Sequence, residues 1–476
     1  MIVGLAAVWG VVQWQVGQRV AATTAQIERD LLATHNFVLQ TAVSRDESLF
    51  RANLSGRDPA WGEVQKTLLA EGWLLDRPMF GWAHQAAPNR LTAAEISFEF
   101  SPDLRAAELL YPQSYAVRLP AGITETVTLQ QTAVYRQGKT RWLFSPPDES
   151  FWGEWVTQAG EQITLVYPER DRQVATRLVA DLDQLLAQLC RQQAELSCQD
   201  GLRVHLRLDN DPDSLLAVDD VQRMLTTGLR LNFPAPTLIG LPTDEPGYQA
   251  LFQAYGVQVV TSVLAYQIAY DCCRHQLFFR AQRDYLLAEL GLQAWPLDAP
   301  MFSQMLARGF NGDVLRHWTR RWQEAPPQFI QVYVVEDPDP IWQEVYALIA
   351  FLHTQETAVS PTEMLRLMDR NSFDGWLADV LAEAYDESLF ETRFLEFIYE
   401  QSNSGQTAAP PIPLPTGKLT LVCANGGNGR SSNIVSYDLS SKTWAQRLAG
   451  LPRNSFVLAS DGEHFLVNNY QFEDPE

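Results

Sequence analysis

The 476-residue chain is long enough for two to four domains with cores of their own, and 46% hydrophobic against 20% charged residues excludes a disordered polymer. Acidic residues outnumber basic ones by 57 to 36, a formal charge of −21. That field repels a phosphate backbone, so nucleic acid is excluded as a partner.

The chain begins MIVGLAAVWGVVQWQVGQR. The apolar run ends at an interfacial-looking Trp14, Gln15 and Arg19. It is short beside the roughly 20 residues a span needs and lacks a basic leader. Three readings compete: a signal anchor, a signal peptide, or a span incomplete at its start. An anchor over residues 1–18 is preferred, which places the rest of the chain outside the cytoplasm.

From Ala25 to Trp73 the period is helical: AQIERDLLATHNFVLQTAV, a break, then WGEVQKTLLAEGW. From Ile96 it changes to strands, ISFEF, AAELLYP and TETVTLQQTAVYR, the last turning through Gln137, Gly138 and Lys139 into TRWLF. Helices followed by long antiparallel strands give an α+β unit over residues 25–152. Its layout resembles the cystatin-like cone fold of SnoaL-like proteins. That resemblance implies a cone lined by an Asp–His pair in the enzymes of the group, and His35 and Asp46 are the pair it offers here. A packed cone with a surface histidine is the plainer alternative.

The second unit, residues 160–400, opens with the strand ITLVYP. A helix from about Asp171 then carries Val174, Leu178, Leu182, Leu185 and Leu189 on one face, and GLRVHLRLD is the next strand. Cys190 and Cys198 fall at the end of that helix and in the loop beyond it, spaced either for one local disulfide outside the cytoplasm or for two unpaired thiols. The run LDNDPDSLLAVDD concentrates Asp209, Asp211, Asp213, Asp219 and Asp220. A solvated acidic loop explains it better than a calcium loop, because Ser214 stands where the sharp turn needs glycine. Farther on, Ser360-Pro361-Thr362-Glu363 marks a capped helix start.

The segment GYQALFQAYGVQVVTSVLAYQIAY, Gly247 to Tyr270, has no charged side chain. Four glutamines make it too polar for hydrocarbon. A buried helix with Leu251, Ala254, Tyr255, Val259, Ser262 and Val263 on its core face, its glutamines satisfying loop backbone, accounts for it. The order of elements around it resembles the gluzincin (peptidase-MA-like) metallopeptidase scaffold. In that family this helix carries H-E-x-x-H, two histidines for zinc and a glutamate to activate water. The corresponding stretch here is Ala254-Tyr255-Gly256-Val257-Gln258, and AELGLQAW puts Glu289 in the place of the third ligand. The motif is missing, so no catalytic residue, metal or cofactor is assigned. Ala254, Tyr255, Gln258 and Glu289 mark a lost site.

SNSGQTAAPPIPLPTG, within residues 401–417, is a linker by composition. Residues 418–476 then read as short strands, KLTLVCA, NIVSYDL, KTWAQRL and a final hairpin, resembling one β-propeller blade. One blade closes no ring, so either the natural chain continues past Glu476 or the small sheet packs on its neighbours.

The expected architecture is therefore multidomain α+β: an N-terminal membrane helix, a cone-shaped α+β domain, a mainly helical gluzincin-like α+β domain and a small C-terminal antiparallel β segment. The expected function is binding or sensing without catalysis by a bacterial, single-pass protein outside the cytoplasm, with an unknown protein, peptide or surface-glycan ligand. The alternative is an active, zinc-metallopeptidase-like hydrolase with ligands outside the usual motif.

Overall fold

A single helix, α1 (Ile2–Ser44), opens the chain in this computed structural model, which describes residues 2–85, 90–119, 122–192, 202–216, 228–267, 276–310, 340–355, 358–369, 372–382, 385–403, 418–424, 431–438, 443–452, 456–458 and 465–467. Leu31, His35, Val38 and Ala42 recur every three or four residues and are all buried, the spacing of one helix face laid on a neighbour. The apolar run expected as an anchor, residues 1–18, is the start of this helix, Met1 lying outside the described residues. Among the described residues no helix is long and apolar enough to cross a membrane. Two short helices follow, α2 (Glu47–Ala52) and α3 (Pro59–Glu71), capped by the side chains of Asp46 and Asp58.

The first sheet is built on a long hairpin. Strands β1 (Ala83–Gln85) and β2 (Ser97–Phe100) pair with β3 (Ala106–Arg118). That strand pairs along its whole length with β4 (Thr124–Gln137), which turns back into β5 (Trp142–Phe144). Leu109, Ala133 and Tyr135 lie on one face of the hairpin and pack with Leu31, Val38 and Ala42 of α1.

After α4 (Glu149–Trp152) come β6 (Trp155–Ala159), β7 (Ile163–Pro168), α5 (Arg172–Gln192), β8 (Val204–Asp209) and β9 (Arg230–Pro234). They form a four-stranded sheet in that strand order, with β6 antiparallel to β7 and the other pairs parallel. The amphipathic α5 is the crossover a parallel β7–β8 pair requires, and Leu178, Leu182, Leu185 and Leu189 are buried as their spacing predicts. Next are α6 (Pro236–Ile239), β10 (Leu241–Pro242) and α7 (Glu245–Gln267), and β10 pairs with Leu129 and Gln130 of β4.

That pairing corrects the expected domain division. Residues Met1–Ser402 are one compact unit, and Leu68, Tyr115, Val117, Val127 and Leu129 share a core with Leu165, Tyr255 and Phe394. The boundary expected between residues 152 and 160 is not a boundary of packing. One end of the hairpin packs with α1, while Tyr115, Val117, Val127 and Leu129 at its other end need elements from later in the chain to exclude water. Those elements are β10 and α7, both in contact with β4.

The unit is completed by α8 (Gln276–Glu289), α9 (Ala299–Ala307), α10 (Pro340–His353), α11 (Pro361–Arg366), α12 (Phe373–Leu381) and α13 (Glu387–Asn403). The cap read at Ser360 is present, its hydroxyl accepting the Glu363 N–H with Pro361 in the first turn.

The second unit, Asn403–Glu476, holds β11 (Lys418–Ala424), β12 (Ser431–Asp438) and β13 (Thr443–Pro452) in one antiparallel sheet. A hairpin of β14 (Phe456–Leu458) and β15 (Phe465–Val467) forms a separate ladder. Among the described residues the expected four-stranded blade is thus divided into a sheet of three strands and a sheet of two.

Candidate functional site

The helix α7, uncharged beyond Glu245, lies inside the first unit. All six residues expected on its core face, Leu251, Ala254, Tyr255, Val259, Ser262 and Val263, are buried, and so are Ala250, Val260, Leu264 and Ala265 around the rest of its circumference. A helix enclosed by protein can be apolar on every side, which explains the composition without lipid. Two of its glutamines serve backbone carbonyls, Gln258 Nε2 donating to Met79 at 3.0 Å and Gln253 Nε2 to Arg118 at 3.0 Å, while Gln249 Nε2 donates to the Glu245 carboxylate at 2.7 Å. Residues 268–270, the end of the expected helix, lie outside the described residues.

Beside this helix is a cleft of about 600 Å³, with Ala254, Val257 and Gln258 of α7 on one side. Opposite stand the turn from Met79 to Trp82, the α8 residues Arg280, Arg283 and Asp284, and Trp342 at the start of α10. Arg283 donates through Nε and Nη2 to Asp284 Oδ1 at 2.8 and 2.5 Å, and Arg280 Nε lies 3.8 Å from Asp284 Oδ2. The Arg280 guanidinium also sits 5.3 Å from the centre of the Trp342 ring. One carboxylate thus organises two cations. The buried lining atoms without a hydrogen-bond partner include the acceptor Gln253 Oε1 and the donor Trp342 Nε1.

The positions that the gluzincin resemblance would assign to a zinc register do not all meet here. Ala254 and Gln258 line the cleft. Tyr255 does not: its hydroxyl donates to the Pro234 carbonyl at 2.6 Å and its ring packs on Phe233 and Phe80. Glu289 stands in the last turn of α8 and is not part of the cleft lining. A methyl group and an amide on α7 make no cation site, since zinc takes imidazoles, thiolates or carboxylates. Among the described residues no group of three or more His, Cys, Asp or Glu side chains is placed to hold a metal ion.

The cone pair is also separated by function. Asp46 caps α2, its carboxylate accepting the Leu49 N–H at 3.0 Å and the Ser48 hydroxyl at 3.1 Å. His35 is a buried residue of α1 rather than a surface one. Its Nδ1 is 2.9 Å from the Tyr135 hydroxyl, and Tyr111 meets its ring edge-on at 4.3 Å. Burial pulls the imidazole down to about 3, so it is neutral at physiological pH. His35 lines a second, smaller cavity between α1, α3 and the hairpin sheet.

Cys190 is disulfide-bonded, and Cys198 lies outside the described residues. In the acidic run Asp209 and Asp211 accept backbone N–H groups of the turn they sit in, those of Asp211 and Asp213 respectively. Asp219 and Asp220 lie outside the described residues.

Three cavity residues carry no local sequence signal strong enough to single them out. Trp342 and Gln253 sit in ordinary apolar helices. Arg77, in WLLDRPMFGW, is marked only as a lone cation among aromatic residues. Comparison with known proteins finds no matching family model, no matching curated protein and no matching solved structure.

Proposed function

We propose that this chain is a non-catalytic binding or sensing protein held at the outer side of a membrane, built on a degenerate metallopeptidase-like scaffold. Its ligand is an amide-bearing molecule such as a peptide segment, received in the cleft beside α7. The observation that carries this reading is the pair of buried, unpartnered lining atoms, Gln253 Oε1 and Trp342 Nε1. A peptide group brings one N–H and one C=O, the donor and the acceptor those two atoms lack. The cleft volume of about 600 Å³ suits a short segment with its side chains. Ala254 where the scaffold resemblance implies a zinc-binding imidazole leaves that surface to recognition rather than to water activation. The disulfide at Cys190 supports a location outside the reducing cytoplasm. Attachment through residues 1–18 belongs to the same proposal.

The test is a thermal-shift and calorimetric screen of the full chain against short acetylated peptide amides, with the metal content of the same sample measured. Peptides should raise the melting temperature of the wild type, while Val257→Trp, which fills the cleft, should abolish the shift. Stoichiometric zinc with chelator-sensitive peptidase activity would instead establish the hydrolase.

A further inference from the structure

The smaller cavity of the first unit measures about 130 Å³ and is lined by His35, Arg77, Gln131 and Tyr135 together with apolar side chains such as Val38 and Trp61. Arg77 is only 5% exposed. Its Nη1 donates to the carbonyl oxygens of Trp73, Leu74, Leu75 and Asp76, and its Nη2 to Leu238 O at 3.3 Å and Gln131 Oε1 at 3.5 Å. Every one of those acceptors is neutral. The adjacent Asp76 carboxylate accepts the His84 N–H at 2.7 Å and makes no ion pair with Arg77. A buried guanidinium therefore lines a cavity without a counter-ion, and buried charges are ordinarily paired.

Three donor-capable atoms of the lining remain open, the Thr132 hydroxyl among them. Arg77 Nε and His35 Nε2 are both buried without a hydrogen-bond partner. If the Tyr135 hydroxyl donates to His35 Nδ1 across their 2.9 Å contact, the proton of the neutral imidazole is on Nε2. The imidazole adds no charge, so the cavity carries the single positive charge of Arg77. Tyr111 links the two groups, its ring 4.3 Å from that of His35 and its hydroxyl within the electrostatic reach of Arg77.

We propose that this cavity is a binding site for a small monocarboxylate, its carboxylate accepting from Arg77 Nε–H and His35 Nε2–H and its short apolar tail lying among the side chains of α1 and α3. The charge count selects a monoanion. The apolar share of the lining favours a carbon tail over an inorganic anion. A volume of about 130 Å³ limits the ligand to roughly the bulk of benzene. This site is separate from the cleft beside α7 and does not depend on that reading.

Calorimetric titration of the full chain with acetate, butyrate and hexanoate, against butyramide and chloride at equal ionic strength, tests it. Butyrate should bind at least about tenfold more tightly than butyramide, the loss expected when a charge-assisted contact becomes neutral. Ala42→Leu, which fills the cavity, and His35→Phe, which removes the imidazole donor, should each weaken butyrate by a similar factor and leave peptide binding in the other cleft unchanged. Arg77→Lys tests the guanidinium directly; because Arg77 also ties down five backbone carbonyls, Ala42→Leu remains decisive if that variant fails to fold. Equal binding of butyrate and butyramide, butyrate binding untouched by Ala42→Leu, or no carboxylate binding with only water in the cavity would each overturn the proposal.

Discussion

The Tyr255 hydroxyl donates to the carbonyl of Pro234 at 2.6 Å and so ties the middle of α7 to the end of β9. Burial holds the phenol well above its ordinary range, so it stays a neutral donor. The position that the scaffold resemblance assigns to a catalytic glutamate is thus a structural tie, facing a carbonyl and the ring of Phe233 rather than a water.

Tyr255→Phe should cost about 1–2 kcal/mol, the price of a buried carbonyl losing its donor, read as a lower denaturation midpoint with an unchanged slope. Tyr255→Glu should be far worse at neutral pH, because it buries a carboxylate against a carbonyl oxygen. Rebuilding H-E-x-x-H by Ala254→His, Tyr255→Glu and Gln258→His should therefore fail to give a stable zinc protein. Zinc uptake by a well-folded triple variant would show that the Tyr255 site tolerates a base after all.

Asp171 carries a predictable pH dependence. Its Oδ1 accepts the Thr237 N–H at 2.9 Å and hydroxyl at 2.7 Å, while Oδ2 is buried without a partner. Burial raises the carboxyl from 3.8 to about 6 in the folded chain. The native state therefore holds the proton more tightly than the unfolded one. There is no penalty below the unfolded value, and stability falls as the pH rises through the folded one, by about 3 kcal/mol in full. Asp171→Asn should be more stable than wild type at pH 8, by about 1–3 kcal/mol, with the difference vanishing in acid. Urea denaturation at the two ends of that range decides it, and a difference that grows toward acid would reverse the sign argued here.

The shared core makes a prediction about fragments. Residues 25–152 expressed alone should show no cooperative unfolding, since Tyr115, Val127 and Leu129 would lose the core they share with Leu165 and Tyr255. Residues 1–402 should melt cooperatively without the second unit. A cooperative transition in the short fragment would restore the boundary that packing denies.

Much of this fold is legible locally. Leu178, Leu182, Leu185 and Leu189 declare the buried face of α5, Ser360 declares a cap, and an uncharged run with four glutamines declares an enclosed helix, because each is a pattern within one element. The sites are not legible in that way. His35 meets Tyr135 a hundred residues on, Arg77 reaches Leu238, and Gln253 and Trp342 share a cleft through the stacking of separate helices. No periodicity records such pairings. The merged core escaped for a related reason: β3 and β4 read as complete strands, but which later elements, here β10 and α7, cover the sheet is a property of the assembled layers.

The disulfide at Cys190 joins the fold to its compartment. Cys190 lies in the last turn of the amphipathic α5, packed against the core, and Cys198, eight residues on, is the partner its position favours. A bridge between them closes a loop so short that the helix must end near Cys190 to bring the Cα atoms within about 7 Å. Such a loop stabilises by about 2–3 kcal/mol through the unfolded chain it constrains. Cys190→Ser and Cys198→Ser should then lower stability by that amount each, and the double variant by no more than either single one, since both remove one bond. Reductant should lower the wild-type midpoint and leave the variants unmoved. Peptide mapping without reduction should recover the two cysteines in one linked fragment from material isolated in its native compartment. Additive losses in the double variant, or alkylation of both thiols without reductant, would break the bridge and remove the support it gives to a location outside the cytoplasm.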